Sequence, residues 1–103
     1  MKYQKKLNKE QLKLMKAIDL GDFEETKALV MKGCNPNFWT GNAIAASPLY
    51  LAALKGNFDI VSWLVDEGNA DIKEDMVPFF SVGMGQIDIG NFVAKRILEK
   101  NSP

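Results

Sequence analysis

The chain contains no histidine, and Cys34 is its only cysteine. The first absence excludes Ser-His-Asp and Cys-His nucleophile pairs and every zinc site that uses histidine. The second excludes disulfides within the chain and metal sites built from several cysteines. We expect Cys34 to be a small buried side chain rather than a reactive group. The composition therefore predicts neither a metal ion nor a cofactor.

Long hydrophobic runs are also missing. No stretch is apolar over the roughly 20 residues that a membrane helix needs. The Lys-rich start lacks the apolar segment and small-residue cleavage site of a signal peptide. We therefore expect a cytoplasmic protein, with export as an effector left open. At 103 residues, the chain has room for a single domain, residues 1–103, and not for a catalytic domain beside a binding domain.

Arginine is scarce, since Arg96 is the only one, and the charge is unevenly distributed. The formal net charge is zero, but residues 1–16 carry +5 and the rest of the chain −5. Such polarity can mark a surface for nucleic acid or anionic membrane. However, Leu7, Leu14 and Ile18 fall at helical spacing, which leaves the lysines on the solvent side. Binding of nucleic acid or anionic membrane by this Lys-rich N-terminal helix is an alternative that the sequence does not favour, because phosphate recognition usually draws on arginine.

Catalysis by carboxylates has no support either. Carboxylate pairs such as Asp66 and Glu67 are adjacent in sequence, and neighbouring residues of a helix point in different directions. The glycines on either side of Met84 lack the lysine and the preceding strand of a phosphate-binding loop. We therefore expect that the protein is not an enzyme.

The chain repeats itself at an offset of 35 residues. Seven residues recur identically in order and spacing. They pair as Leu14 and Leu49, Ala17 and Ala52, Gly21 and Gly56, Phe23 and Phe58, Leu29 and Leu64, Val30 and Val65, and Gly33 and Gly68. Self-similarity at such a period indicates stacked supersecondary units.

Each unit is predicted to hold two short helices. In the second unit, Ser47 can cap a helix whose first position is Pro48. This helix ends at Gly56, because glycine readily adopts the left-handed conformation that stops a helix. The second helix of the unit is predicted to end in the same way at Gly68.

The first unit follows the same plan, with helices predicted over residues 12–20 and 23–32. Its second helix opens with Asp22, followed three residues later by Glu25. This arrangement resembles a capping box, in which the two side chains satisfy backbone donors at the start of a helix.

The segment from Ser47 to Ile72 resembles an ankyrin repeat. It is similar to the family's Thr-Pro-Leu-His-x-Ala-Ala-x-x-Gly opening, its Ile-Val-x-x-Leu-Leu helix and its Gly-Ala-Asp ending, with Ser47 for threonine, Tyr50 for histidine and an extra residue at Asn69. Residues 33–37 resemble the same ending in the preceding unit. The resemblance implies an all-α, ankyrin-repeat solenoid of stacked helix-turn-helix units with projecting finger loops. The approximate repeats would be residues 5–37, 38–72 and 73–103.

In the ankyrin family, the fingers and the inner helices form a concave surface that holds other proteins. The resemblance therefore implies a non-catalytic protein-protein interaction module, acting as an adaptor, an inhibitor or an immunity-type binder on a protein partner. The partner-binding positions it implies lie on the two fingers, at the inner-helix ends and at Tyr50. They are Asp19, Leu20, Phe38, Trp39, Thr40, Asn42, Ala46, Tyr50, Leu54, Lys55, Lys73, Glu74, Asp75 and Met84.

Three aromatic residues have distinct expectations. Trp39 lies in a loop with no core periodicity to satisfy, so we expect it to anchor a partner, unless Phe38 or Trp39 folds back to cover the loop. Trp63 occupies an aliphatic position of the outer helix and is expected in the core. Tyr50 stands where the family has histidine, and it can either tie the loop to the helix or face a partner.

The third unit is degenerate. It begins near residues 77–80, and its last helix matches the second unit best if Ile97 and Leu98 replace Leu64 and Val65. Its apolar cluster is expected to pack back on the second unit and comprises Phe79, Phe80, Val82 and Met84. We expect a monomer, with self-association through this last repeat left open.

Overall fold

The computed structural model describes residues 6–73, 76–80 and 86–101, and this part of the chain is helical, without strands. Its helices are α1 (Lys9–Asp19), α2 (Phe23–Met31), α3 (Pro48–Leu54), α4 (Phe58–Asp66), α5 (Met76–Pro78) and α6 (Ile87–Asn101). Helix α1 packs on α2 and α3, α4 packs on α2, α3 and α6, and α5 packs on α6. The predicted all-α stack of helix pairs is confirmed.

Helix α1 begins at Lys9 rather than at the predicted residue 12. Its start is fixed by a reciprocal pair of hydrogen bonds: the Gln11 backbone N–H donates to Asn8 Oδ1 at 2.8 Å, and the Asn8 N–H donates to Gln11 Oε1 at 2.9 Å. Both donors would otherwise lack a partner inside the helix. The local Asn-x-x-Gln pattern thus adds most of a helical turn.

Gly21 and Gly56 reverse the chain at equivalent points of the first two units. Their φ angles are +71° and +69°, in the left-handed region that glycine adopts without steric cost. Directly after them, Asp22 and Asn57 each accept a hydrogen bond at 3.0 Å from the backbone N–H three residues later. The predicted chain reversals are therefore confirmed, and each is followed by a capped outer helix.

The end of α4 differs from the prediction. The left-handed residue is Asn69, with φ of 61°, whereas Gly68 lies buried against the preceding turn. A Cβ on Gly68 would come within 3.1 Å of both the Cα and the carbonyl oxygen of Leu64. Glycine is needed there for the close approach, and the extra asparagine makes the turn, because asparagine tolerates positive φ better than most residues.

Repeat-related residues are buried in equivalent ways. Leu14 and Leu49 are 0% and 3% exposed, and the corresponding alanines, Ala17 and Ala52, are buried as well. All four lie on the inner helices α1 and α3, which pack directly on each other. The small alanine side chains allow this close packing, while the leucines supply apolar area to the shared core.

The third unit combines a single helical turn, α5, with a long helix, α6. Three residues spaced four apart on α6, Ile89, Val93 and Ile97, are buried and face the core. Ile97 is therefore placed as expected. Leu98 is 70% exposed instead of buried like Val65, because the core-facing stripe of α6 is narrow.

The apolar cluster of the third unit packs partly as expected. Phe80 is fully buried and Phe79 is half-buried. Both rings contact Tyr50 of α3, at centroid distances of 5.2 and 4.7 Å. Val82 and Met84 lie outside the described residues.

Two residues expected in the core are only half-buried. Trp63 lies at the outer side of α4, where its ring meets Phe23 edge to face at a centroid distance of 6.4 Å. Cys34 follows α2, with its Sγ 3.7 Å from the carbonyl oxygen of Glu10. Burial, together with the charge of Glu10, raises the pKa of the Cys34 thiol, so this cysteine is protonated at neutral pH.

Candidate interaction surface

The first finger, residues 38–46, is a compact loop that its own polar groups hold closed. The Thr40 backbone N–H donates to the carbonyl of Ala46 at 2.9 Å, and the Thr40 hydroxyl donates to the carbonyl of Ala45 at 2.7 Å. Gly41, with φ of +82°, starts the turn. The Asn42 side chain then accepts hydrogen bonds at 2.9 Å from the backbone N–H groups two and three residues further on. These bonds define the shape of the loop.

This closure places three expected partner-binding residues inside the finger. Phe38, Thr40 and Ala46 are all buried, with Thr40 fully enclosed. Their side chains support the loop from within, and Phe38 also lines the cavity described below. Asn42 is half-buried, with its carboxamide oxygen already engaged within the loop.

Trp39 points the other way and is 56% exposed. Its ring meets Tyr50 edge to face, at a centroid distance of 5.8 Å and an interplanar angle of 71°. Tyr50 in turn stacks on Phe79 at 4.7 Å and 28°. Tyr50 therefore connects the first finger, α3 and the third unit, so it ties the finger to the helix through its ring while staying half-exposed.

The ends of the inner helices bring four further expected residues together. Leu20, which follows α1, is 71% exposed, and Leu54, the last residue of α3, is exposed too. Beside them, Lys55 Nζ lies 3.3 Å from Asp19 Oδ1, with both side chains close to half exposed. The ion pair links the two helix ends at the surface.

The segment that leads into the second finger, predicted at residues 73–75, is joined to the start of the first finger by Asn37, which sequence reasoning missed. The Asn37 side chain donates to the carbonyl of Asn69 and accepts from the backbone N–H of Asp71, each at 2.8 Å. Lys73 is exposed, and its backbone N–H donates to Met76 Sδ at 3.1 Å. Glu74, Asp75 and Met84, which were expected to bind the partner, lie outside the described residues.

Between the two fingers and α3 lies a cavity of about 210 Å³, here called the finger pocket. Its lining is half aromatic and apolar and half polar. The lining residues are Asn37, Phe38, Trp39, Ser47, Tyr50, Asp71, Lys73 and Met76. The exposed part of this region extends along α3, since Tyr50 and Leu54 are one helical turn apart, and reaches the Asp19–Lys55 ion pair.

We call this continuous region the finger surface. It holds seven of the expected residues and joins the pocket to the inner-helix ends. They are Asp19, Leu20, Trp39, Tyr50, Leu54, Lys55 and Lys73. The surface combines exposed apolar and aromatic side chains with charged ones, and protein-binding patches commonly contain both kinds of group.

The basic face of α1 is separate from the finger pocket. Lys9, Lys13 and Lys16 are exposed, and Lys13 lies 3.7 Å from Glu10. Four apolar residues of α1, namely Leu14, Met15, Ala17 and Ile18, are buried in the core of the stack, whereas Leu12 is exposed. The four buried side chains are already used in packing within the chain. Among the described residues, no helix is both long enough and apolar enough to cross a membrane.

A family model for ankyrin repeats (3 copies) matches residues 3–101 of the chain. No curated protein and no solved structure matches the chain. The family match covers nearly the whole chain and agrees with the stacked helix pairs, the chain reversals and the projecting finger. The chain therefore belongs to the ankyrin repeat family, whose members generally act as protein-protein interaction modules.

Proposed function

We propose that the protein is a non-catalytic interaction module whose finger surface holds one protein partner. The observation that carries this proposal is the exposure of Trp39. A large indole is more than half exposed although it belongs to a loop held by several hydrogen bonds. Exposed tryptophans on rigid supports are typical anchors of protein interfaces, since they bury a large area without losing much conformational entropy.

The neighbouring residues support the same function. Leu20 and Leu54 extend the apolar area away from the finger pocket, and Lys55 with Asp19 supplies polar groups at its border. A stack buries its helix faces internally and leaves loops and helix ends free to differ without loss of fold stability. The binding specificity of this chain is therefore expected to lie in these positions.

A small module with one such surface can act as an adaptor, an inhibitor or an immunity-type binder. In each role, it would cover a surface of its target, and the three differ only in what the target does when covered. The chain needs no chemistry of its own for any of them.

The test is affinity capture of the partner from the source organism with a tagged full chain. The double variant Trp39→Ala/Lys55→Glu removes the aromatic anchor and reverses one charge, and we expect it to lose the captured partner. A matched control, Ile87→Ala/Lys95→Glu, makes the same two kinds of change at exposed positions of α6 and should retain the partner. If the first double variant captures the partner as well as the unmodified chain does, the finger surface is not the binding site.

A further inference from the structure

Half of the residues that line the finger pocket are aromatic or apolar, namely Phe38, Trp39, Tyr50 and Met76. Asn37 and Ser47 are polar, and Asp71 and Lys73 lie at the exposed border. Phe38 and Met76 are buried, and Tyr50 is fixed by its contacts with Trp39 and Phe79. The shape of the pocket is therefore set by side chains that are packed within the fold.

The size of the pocket sets what can enter it. Its volume is about 210 Å³, and an apolar protein cavity of about 150 Å³ is large enough to hold benzene. The volume of the pocket is therefore sufficient for one six-membered ring with its first side-chain carbon. A ring in the pocket can meet the indole edge to face or offset-stacked, and it can contact the methionine sulfur, which are both favourable geometries.

The charge of the lining favours a neutral group. Among the lining residues that the structure describes, Asp71 and Lys73 carry opposite charges, so their formal charges sum to zero. A cationic or anionic partner side chain would lose hydration on entering the aromatic part without meeting a net opposite charge, which is costly. A neutral ring avoids this cost and leaves both charged groups hydrated at the border.

Hydrogen bonds hold the pocket open in advance. Asn37 joins its two sides through the bonds to Asn69 and Asp71. Ser47 accepts the backbone N–H of Tyr50 at 3.3 Å and so fixes the start of α3. A preformed site loses little conformational entropy on binding, which strengthens the binding of a small anchor group.

We propose that the finger pocket holds the aromatic ring of one phenylalanine or tyrosine side chain of the protein partner. This inference rests on the proposed function, because it assigns the anchor that the partner inserts beside Trp39. A ring-sized volume, aromatic lining residues and the balanced charges of the described lining together favour this class of side chain over arginine, lysine or glutamate.

The experiment is a nuclear magnetic resonance titration of the ¹⁵N-labelled full chain. The probes are N-acetyl-phenylalaninamide, N-acetyl-leucinamide and N-acetyl-argininamide, each added at millimolar concentration. The chain has two tryptophans, so the two indole N–H signals report separately on the finger pocket and on the outer face at Trp63. We expect the phenylalanine probe to shift the Trp39 indole and the amides of Ser47 and Asp71, about threefold or more beyond the other two probes at equal concentration.

Variants make the assignment specific. Trp39→Ala should abolish the shifts at Ser47 and Asp71, whereas Ile44→Ala, at an exposed position of the same finger outside the pocket, should leave them unchanged. The spectrum of each variant also shows whether it is folded. The Trp63 indole should not move with any probe.

Three results would overturn the proposal: no shift at the Trp39 indole, equal or larger shifts with the leucine or arginine probe, or shifts that persist in Trp39→Ala. Failure of the proposed function is a different outcome. In that case, the phenylalanine probe binds the pocket, but the captured partner survives the Trp39→Ala/Lys55→Glu change. Conversely, the double variant can lose the partner although the phenylalanine probe does not bind the pocket. That result would support the finger surface as the binding site and would overturn only the proposal that the partner inserts an aromatic ring.

Discussion

At the scale of single residues, Asn37 connects the loops of successive units. Its side-chain amide nitrogen donates a hydrogen bond to one backbone carbonyl, and its side-chain oxygen accepts one from a backbone N–H. Both backbone groups lie more than thirty residues further along the chain. No local pattern indicates such a bond, because it depends on how the second unit stacks on the first. The residue is exposed, so exposure and composition alone would class it as an ordinary loop asparagine.

We expect Asn37→Ala to lower the free energy of unfolding by about 1–2 kcal/mol, because it removes two hydrogen bonds and leaves their backbone partners to water. Thermal unfolding followed by circular dichroism measures the change. The matched control is Asn91→Ala, at an exposed asparagine of α6, which should stay within about 0.5 kcal/mol of the parent chain. Equal effects of the two substitutions would show that the two hydrogen bonds of the Asn37 side chain contribute nothing to stability.

Cys34 is the second residue with a specific expectation. Burial and the charge of Glu10 raise the pKa of its thiol, which lowers the fraction of reactive thiolate at any given pH. We expect iodoacetamide at pH 8 to alkylate Cys34 severalfold more slowly in the folded chain than in the chain unfolded by urea. Glu10→Gln removes the charge but not the burial, so it should recover part of the rate. A folded chain that reacts as fast as the unfolded one would contradict the assigned environment.

At the scale of helices and loops, the sequence predicted what depends on neighbouring residues. Ser47 caps α3 with Pro48 in its first turn, and the glycines Gly21 and Gly56 reverse the chain, because capping and backbone freedom are local properties. The shape of the first finger escaped prediction. It depends on hydrogen bonds that Thr40 and Asn42 make within the loop. The burial of Phe38 was one of the alternatives left open, whereas the burial of Thr40 and Ala46 was not expected.

Arg96 adds a polar link between α6 and α4, beside the edge-to-face contact of Phe92 with Phe58 at a centroid distance of 5.3 Å. Arg96 Nε and one terminal nitrogen lie 2.7 and 3.2 Å from the two carboxylate oxygens of Asp66, and the other terminal nitrogen lies 2.9 Å from Glu99. The guanidinium also lies 4.7 Å from the ring centroid of Phe92. A planar group with several donors can make these contacts together, which a lysine cannot do.

We therefore expect Arg96→Ala to increase the hydrogen-exchange rates of α6 amides while those of α1 and α2 stay unchanged. Arg96→Lys should give an intermediate result, since it retains the charge but loses the paired geometry. Exchange measured by mass spectrometry on peptides of the intact chain distinguishes these cases. Unchanged exchange in α6 would mean that its apolar stripe alone holds the helix in place.

At the scale of the whole molecule, the exposed apolar residues of α6, in the last unit, determine whether two chains can associate there. On α6, Ile87 and Leu98 are exposed apolar residues, but they are separated by three helical turns, with charged residues such as Asp88 and Lys95 on neighbouring positions. Such scattered apolar groups do not form a large continuous patch. We expect sedimentation velocity to give a monomer from low to high micromolar concentration. A sedimentation coefficient that rises with concentration and falls back in Leu98→Glu would instead establish association through the last unit.

The stack as a whole explains where binding is expected. Equivalent residues of successive units are buried against one another, so the residues left to vary are those of the fingers and the inner-helix ends. The repeat and its chain reversals are readable from the sequence, and they indicate which side of the molecule is variable. The finger pocket itself required the structure, because its lining joins both fingers and α3 across more than thirty residues of sequence.

The proposal that the finger surface holds the partner is tested most directly by photo-crosslinking in the source cells. Benzoylphenylalanine is placed at one position of the full chain at a time. Positions 39 and 55 lie on the finger surface, and the exposed positions 24 and 95 lie on α2 and α6. The account predicts one crosslinked protein partner from positions 39 and 55 and none from positions 24 and 95. Adducts that form from positions 24 or 95 but not from 39 or 55 would contradict it.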